Sequence, residues 1–467
     1  MEDVVTAREE KSVRVSQHLA VFAAGIRSED LPDDVVRAVK RSILDQVGVI
    51  AAASGLGVDC KAFVETAREA GGSGATLIGC RAETSPAMAA LANGAMAHAL
   101  DFEDTHDATL IHPSASSVPA ALAVGERLSA GGSELIAAVC AGSEVACRIG
   151  ASFVGSPQDG HFFLLPLVNA FGAAAAAGRM LGLDAEQMEH AFGLAMSQVV
   201  GSAAVLTEPG SSFREIRDGF NAKAGVLAAQ LASRGVRSFG SPLEAEHGYY
   251  AMFQGGRFDP TAFEGLGDRF EVANVSYKPW PACRGTHVFI EAALDLRQRH
   301  SLQASDIDSI VVDVSPFFTS LCEPESIRKK PKTATEAKFS IPFALAVALI
   351  DGRVDLTSFD AEKRSEEAIL ALAGRVRHRS NDAPQNQSTR GGLTLETKDG
   401  RQFHAEYEEP LGHPRRPIDD DRLREKFRLC VAQAVCPTDD TAVELFIERT
   451  AALKAVTDIG SELIALL

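Results

Sequence analysis

The stretch NGAMAHALDFEDTHDATLIHPSASSV, residues 93–118, holds four carboxylates (Asp101, Glu103, Asp104, Asp107) and three histidines (His98, His106, His112) among small and apolar residues. Met88 to Leu100 reads as a helix so rich in Ala and Gly that its neighbours must pack close to its backbone. At helical spacing His98 stands one turn before Asp101 and Phe102, and Asp101 one turn before Thr105. Asp104, Thr105, His106 and Asp107 crowd the expected helix end, and Pro113 biases His112 towards an extended backbone. Any one of these side chains alone reads as a polar helix cap. Together they read as a functional site, because buried carboxylates and imidazoles this close perturb one another's ionisation.

Outward from this stretch the pattern is helical. Residues 13–26, 32–53, 60–70, 119–128, 132–153, 171–181, 185–200 and 221–233 carry helical apolar spacing, broken by Gly or Pro. Nothing before residue 255 alternates as a sheet, so this part is expected to be all-α. From Phe270 the texture changes. Residues 270–277, 307–314 and 392–407 read as strands, the last folded at the hairpin turn Lys398-Asp399-Gly400. Helices are expected over 286–299 and 339–351, and helical spacing returns over 419–434 and 441–467. The fold class is therefore mainly α with α+β. A large helical domain is built from both chain ends, residues 1–267 and 413–467, around an inserted α+β domain, residues 268–412.

Composition narrows the function. Lys and Arg number 46 against 63 Asp and Glu, a net charge of −17, which leaves no basic face for nucleic acid. An acidic protein can still hold an anionic substrate, but only in a local cationic pocket. The eight cysteines include no CxxC pair and no zinc spacing, which points to reduced thiols and a cytoplasmic setting. The first residues, MEDVVTAREEKSVRV, lack the apolar core of a signal peptide, and Ala-rich runs such as Ala137–Ala146 meet charge before reaching a membrane-spanning length. No Walker loop, GxGxxG after a strand, HExxH or nucleophile elbow occurs, so no metal or organic cofactor is expected.

The segments NGAMAHALDFEDTHDATLIHPSA, GAAAAAGRMLGL, SYKPWPACRGTH, AKFSIPFALAVALIDG and LTLETKDGR through GHPRRP together resemble the MmgE/PrpD family over nearly the whole chain. The resemblance implies a helical domain, a smaller α+β lid over the site, a homodimer and no cofactor. It implies small polycarboxylate substrates, since members include 2-methylcitrate dehydratases, cis-aconitate decarboxylases and iminodisuccinate epimerases. The family's Asp-Phe-Asp-Asp-Thr falls on Asp101, Phe102, Glu103, Asp104 and Thr105, its His-Pro on His112-Pro113 and its KxxPxx lysine on Lys278. Three positions depart from the family pattern. Phe163 stands where a His is frequent, with His161 nearest; Arg214 stands for a Lys; and Cys283 stands for the decarboxylases' His.

Removing a proton beside a carboxylate takes a base at that carbon and cations for the growing charge. His112 is the candidate acid/base, since imidazole changes charge near neutral pH, with Asp101 or Asp104 orienting it. Thr105 donates to substrate or to the helix end. Lys278, Arg214 and Arg284 are the candidate carboxylate clamps. Cys283, between Arg284 and Lys278, is either a thiolate able to exchange a proton with carbon or a buried filler. His287 is expected to fix the loop. With Lys278 or Cys283 as a second base opposite His112, the leading expectation is an epimerase of an iminodisuccinate-like substrate. The alternatives are a lyase, with His161 supplying the acid for a leaving hydroxyl, and a non-catalytic polycarboxylate-binding protein.

Overall fold

A computed structural model describes residues 14–154, 162–199, 201–206, 208, 211–383 and 388–467. The N-terminal part runs through helices α1 (Val15–Gly25), α2 (Asp33–Leu56), α3 (Cys60–Glu69), α4 (Pro86–His98), α5 (Ser114–Leu128), α6 (Gly132–Ala151), α7 (Leu164–Met180), α8 (Ala185–Met196) and α9 (Phe213–Ala232). Local chemistry fixes several starts. Asp33 and Asp34 lie in the first turn of α2, where they favour the helix dipole, Pro86 opens α4, and Asp184 with Gln187 forms a capping box on α8.

The small residues set how closely α4, α7 and α9 approach. A Cβ at Gly94 would stand 2.8 Å from the Asp218 carbonyl oxygen and 2.9 Å from Gly219 Cα. One at Gly219 would stand 2.9 Å from Ala95 N. Gly142 and Gly172 make the same close crossing between α6 and α7. Helix backbones meet here with no side chain between them.

The helix carrying the quoted stretch stops at His98, short of the expected Leu100. Asp101 adopts a left-handed backbone, φ 52°, and turns the chain into a loop, so the helical spacing of His98, Asp101 and Thr105 does not continue. The loop ends in strand β3 (Thr105–His106), which pairs antiparallel with β4 (Val275–Ser276). The expected strand over 270–277 is thus mostly a 3-10 turn, Glu271–Asn274, with two paired residues. The part expected to be all-α also contains a small hairpin, β1 (Ala75–Leu77) with β2 (Ala82–Thr84).

Further on, β5 (Ile307–Val314), β6 (Val376–Ser380), β7 (Gly391–Thr397) and β8 (Gln402–Tyr407) form one sheet in the order β6-β5-β7-β8, mixed because β6 runs parallel to β5. Helices His287–His300 and Ile341–Asp351 accompany it. The expected final helix over 441–467 breaks after Ala451 into shorter turns.

Two apolar clusters result. One gathers residues from Val15 to Tyr277 together with Ile418 to Ile464, and the other runs from Trp280 to Leu395. The helix Asp420–Val431 packs on α2, where Phe427 lies against Gly48. No single helix among the described residues is long and apolar enough to cross a membrane; α2 and α3 pass that test only as a pair bent by 95°.

Gly219→Val is expected to lower stability by about 3 kcal/mol, the upper range for overpacking, because backbone atoms block the new side chain. Urea unfolding checks this. Unchanged stability would mean that α4 and α9 do not meet this closely.

Candidate active site

Three segments converge on one buried carboxylate, Glu103. His98 closes α4, the loop 99–113 carries Asp101, Glu103, Asp104, Thr105 and His112, and Lys278 follows β4. Glu103 has no solvent exposure. Its Oε1 lies 2.5 Å from His98 Nδ1 and 2.9 Å from His112 Nδ1, and 3.9 Å from Lys278 Nζ. The His98 and His112 rings are 4.8 Å apart. His112 Nδ1 is also 2.9 Å from the Asp104 carbonyl oxygen and 3.2 Å from Thr105 Oγ1. With both Nδ1 atoms turned to Glu103, Nε2 is the ring nitrogen left for chemistry.

Lys278 Nζ donates to the Asp101 carboxylate and, at 3.0 Å, to the Asp101 carbonyl. Burial opposes charge on Asp101, Glu103 and Lys278, yet opposite charges outweigh it. Asp101 is held at about 2, chiefly by Lys278. Glu103 is held well below the usual carboxylate range by Lys278 and the imidazoles, and Lys278 is raised by Asp101 and Glu103. His98 is lowered by burial and then by Arg217, so it stays neutral and donates its Nδ1–H.

His98, Asp101, Thr105 and His112 face a cavity of about 70 Å³, with Cys283, Arg214, Arg217 and Asn169 around it. Phe163, Phe317, Phe318 and Phe339 supply apolar walls. The two arginines stand one turn apart on α9. The Arg214 guanidinium lies 3.9 Å over the Phe339 ring and that of Arg217 5.5 Å from the Phe163 ring. Arg214 has no carboxylate partner among the described residues; burial lowers its pKa to about 10, which leaves it a cation. Arg217 Nε is buried without a hydrogen bond among those residues, 3.7 Å from Asp218. Asp218 is held in turn by Asn169, which also donates to the His112 carbonyl. The cavity can therefore accept carboxylates on its guanidinium side and pass protons on its imidazole side.

Of the residues singled out in the sequence, Asp101, Thr105, His112, Arg214, Cys283 and Arg284 line this cavity. Four roles change. Asp104 turns away, accepting from Ser114 and Ser42, and burial raises it to about 6; neither its carboxylate nor that of Asp101 orients His112, which is the place of Glu103. Lys278 lies behind the cavity wall as the counter-ion of Asp101 and Glu103, with no free charge for a substrate. Arg284 spends its fork on Asp107, at 3.0 and 2.9 Å, and donates to the Leu411 carbonyl, so it braces the loop. Cys283 is pushed up to about 11 by burial and then by Asp101, against the thiolate expectation.

His287 Nε2 donates to the Ala282 carbonyl of its own loop at 3.1 Å. His161 lies outside the described residues. The sequence places His98 and Glu103 in the candidate cluster without an individual role and does not single out Asn169 or Arg217; the spacing of Arg217 three residues after Arg214 is the signal that finds it.

The donor atoms of His98, Asp101, Glu103 and His112 lie within 4.8 Å of one another, a set able to hold a metal. The Lys278 ammonium, however, already supplies positive charge to two of the carboxylates, and both histidine donors point at Glu103. The set fits a cation poorly.

Residues 17–261 match the MmgE/PrpD N-terminal domain and residues 280–452 the MmgE/PrpD C-terminal domain. The chain belongs to the MmgE/PrpD family of enzymes. It is 27% identical to a cis-aconitate decarboxylase of Aspergillus terreus, over 96% of this chain and 94% of that protein. The cis-aconitate decarboxylase of Mus musculus is also 27% identical, over 90% and 88%. A 2-methylcitrate dehydratase of Salmonella typhimurium is 25% identical, over 77% and 78%.

Glu103→Gln is expected to cut turnover by at least about a hundredfold, the scale of a displaced acid/base, while leaving the protein folded. Turnover near the parent's would remove Glu103 from the mechanism. Alkylation of Cys283 by iodoacetamide, read by peptide mass spectrometry, is expected to stay slow at pH 8 and climb towards pH 11. A plateau near the ordinary thiol value of about 8.5 would show that the thiolate is accessible.

Proposed function

We propose that the chain is a lyase that transfers a proton at a carbon beside a carboxylate of a small polycarboxylate, and that it decarboxylates cis-aconitate. The observation that carries this reading is the imidazole pair on Glu103 facing Arg214 and Arg217 across the cavity. The relatives named as cis-aconitate decarboxylases, matched along almost the whole chain, support the same reaction.

The chemistry needs no second base. Two carboxylates of the substrate rest on the guanidinium groups of Arg214 and Arg217. The carbon–carbon bond to the third carboxylate breaks and CO₂ leaves. Its electron pair forms a new carbon–carbon double bond to the central carbon. The original double-bond pair moves to the far carbon, which takes a proton from His112 Nε2 and gives a methylenesuccinate. Glu103 stabilises the imidazolium before transfer, and solvent restores the proton. The phenyl walls favour neutral CO₂ over the carboxylate it came from.

Epimerisation of an iminodisuccinate-like substrate is less well supported, because it needs a second base opposite His112. Lys278 is a paired ammonium and Cys283 a thiol at about 11. Dehydration of a 2-methylcitrate-type substrate keeps the same groups and remains the second lyase reading, carried by the dehydratase relatives. We further propose that residues 1–267 and 413–467 form one helical domain, covered by residues 268–412 as a lid, and that the enzyme works as a homodimer without metal or cofactor.

Proton NMR in D₂O with cis-aconitate is expected to show new vinyl methylene signals and one deuterium on the carbon beside the retained carboxylate. His112→Ala should slow this by at least about a hundredfold, and prior chelation should not. Vinyl signals from 2-methylcitrate with cis-aconitate inert would make it a dehydratase. Deuterium entering a dicarboxylate with no other change would make it an epimerase.

A further inference from the structure

A second cavity, of about 370 Å³, opens between α2, the helix Asp420–Val431 and the chain end near Lys454, and shares no lining residue with the active cavity. In a protein of net charge −17, five cations gather here: Arg37, Lys40, Arg41, Arg424 and Lys454. Only two carboxylates, Asp33 and Asp420, join them in the lining. Arg41 pairs with Asp420 and Arg424 with Asp421, Lys40 and Lys454 bond to the carbonyls of Ala451 and Ser28, and Arg37 has no carboxylate pair among the described residues. Burial, and then the charge of Lys454, lowers the Lys40 pKa, as expected where positive charge is under-compensated. Val36, Leu44, Leu423 and Ile447 make an apolar floor. The Thr450 hydroxyl in the lining is buried with no hydrogen-bond partner among the described residues.

One of these cations reaches towards the active site. The Arg41 guanidinium pairs with Asp420 and lies 4.9 Å from the Tyr277 ring, next in sequence to Lys278. Ser42, the residue after Arg41, donates to Asp104 and lies 3.1 Å from the Tyr277 hydroxyl. An anion that competes with Asp420 for Arg41 therefore acts on the segment that holds the buried counter-ion of Asp101 and Glu103.

We propose that this cleft is a regulatory site for a multiply charged organic anion with an aromatic or apolar body, of the nucleoside diphosphate kind, felt at the active site through Arg41 and Tyr277. The anion sits among the cations and its body on the apolar floor. Trp280, the one tryptophan of the chain, is buried two residues beyond Lys278 and outside the cleft, so it reports the coupling without any substrate.

The test is calorimetric titration with ADP in magnesium-free buffer, alongside Trp280 emission excited beyond nucleotide absorption. ADP is expected to bind more tightly than inorganic pyrophosphate and to change the emission over the same concentration range. The double variant Arg37→Glu/Lys454→Glu, both exposed positions, should weaken binding by at least about tenfold. Arg37→Gln/Lys454→Gln serves if charge reversal impairs folding. No binding at about 10 mM ADP, binding indifferent to both variants, pyrophosphate binding as tight as ADP, or binding with unchanged emission would each overturn the proposal.

Discussion

A carboxylate wholly removed from water, Glu103, has to be compensated where it lies, and the site follows from how that is done. Taking an isolated charge out of water costs several kcal/mol even after relaxation, so the partners must be close and numerous. Two imidazoles and an ammonium meet the requirement. The same contacts fix both rings with Nδ1 inward and make His98 and His112 a matched pair. Because Lys278 lies in the chain between Tyr277 of one apolar cluster and Trp280 of the other, the compensation also joins the two. Arg284 on Asp107 strengthens that junction.

The opposite side of the cavity depends on backbone approach. Glycine at 94 and 219 lets α9 lie directly against α4, which carries Arg214 and Arg217 to within reach of the loop after His98. Burial and then Arg217 depress His98, and Arg217 helps hold Asp218 ionised, so the anion-binding side is electrostatically tied to the imidazole side. Neither half is independent of the other.

Much of this was legible in the sequence where one physical signal dominated. Alternation marked residues 307–314 as a strand to the residue, and Lys398-Asp399-Gly400 marked the hairpin between β7 and β8. The edge strand β6, Val-Arg-His-Arg-Ser, carried too little apolar pattern to declare itself. Periodicity ran through Asp101 because Asp tolerates the left-handed turn that ends the helix without the glycine that usually signals it. The expected start of α9 at residue 221, eight residues late, concealed that Arg214 and Arg217 share one face. Glu103 was visible but indistinguishable from its acidic neighbours, since which carboxylate turns inward is decided by the loop and not by composition.

Glu103 orients both imidazoles through Nδ1. Side-chain ¹⁵N NMR of histidine-labelled protein at neutral pH, with His98 and His112 assigned by single substitution, reads it directly. His98 is expected to be the neutral Nδ1–H tautomer and the His112 Nδ1 proton to be hydrogen-bonded, with both signals altered in Glu103→Gln. An Nε2–H tautomer at either ring, or signals indifferent to that substitution, would contradict it.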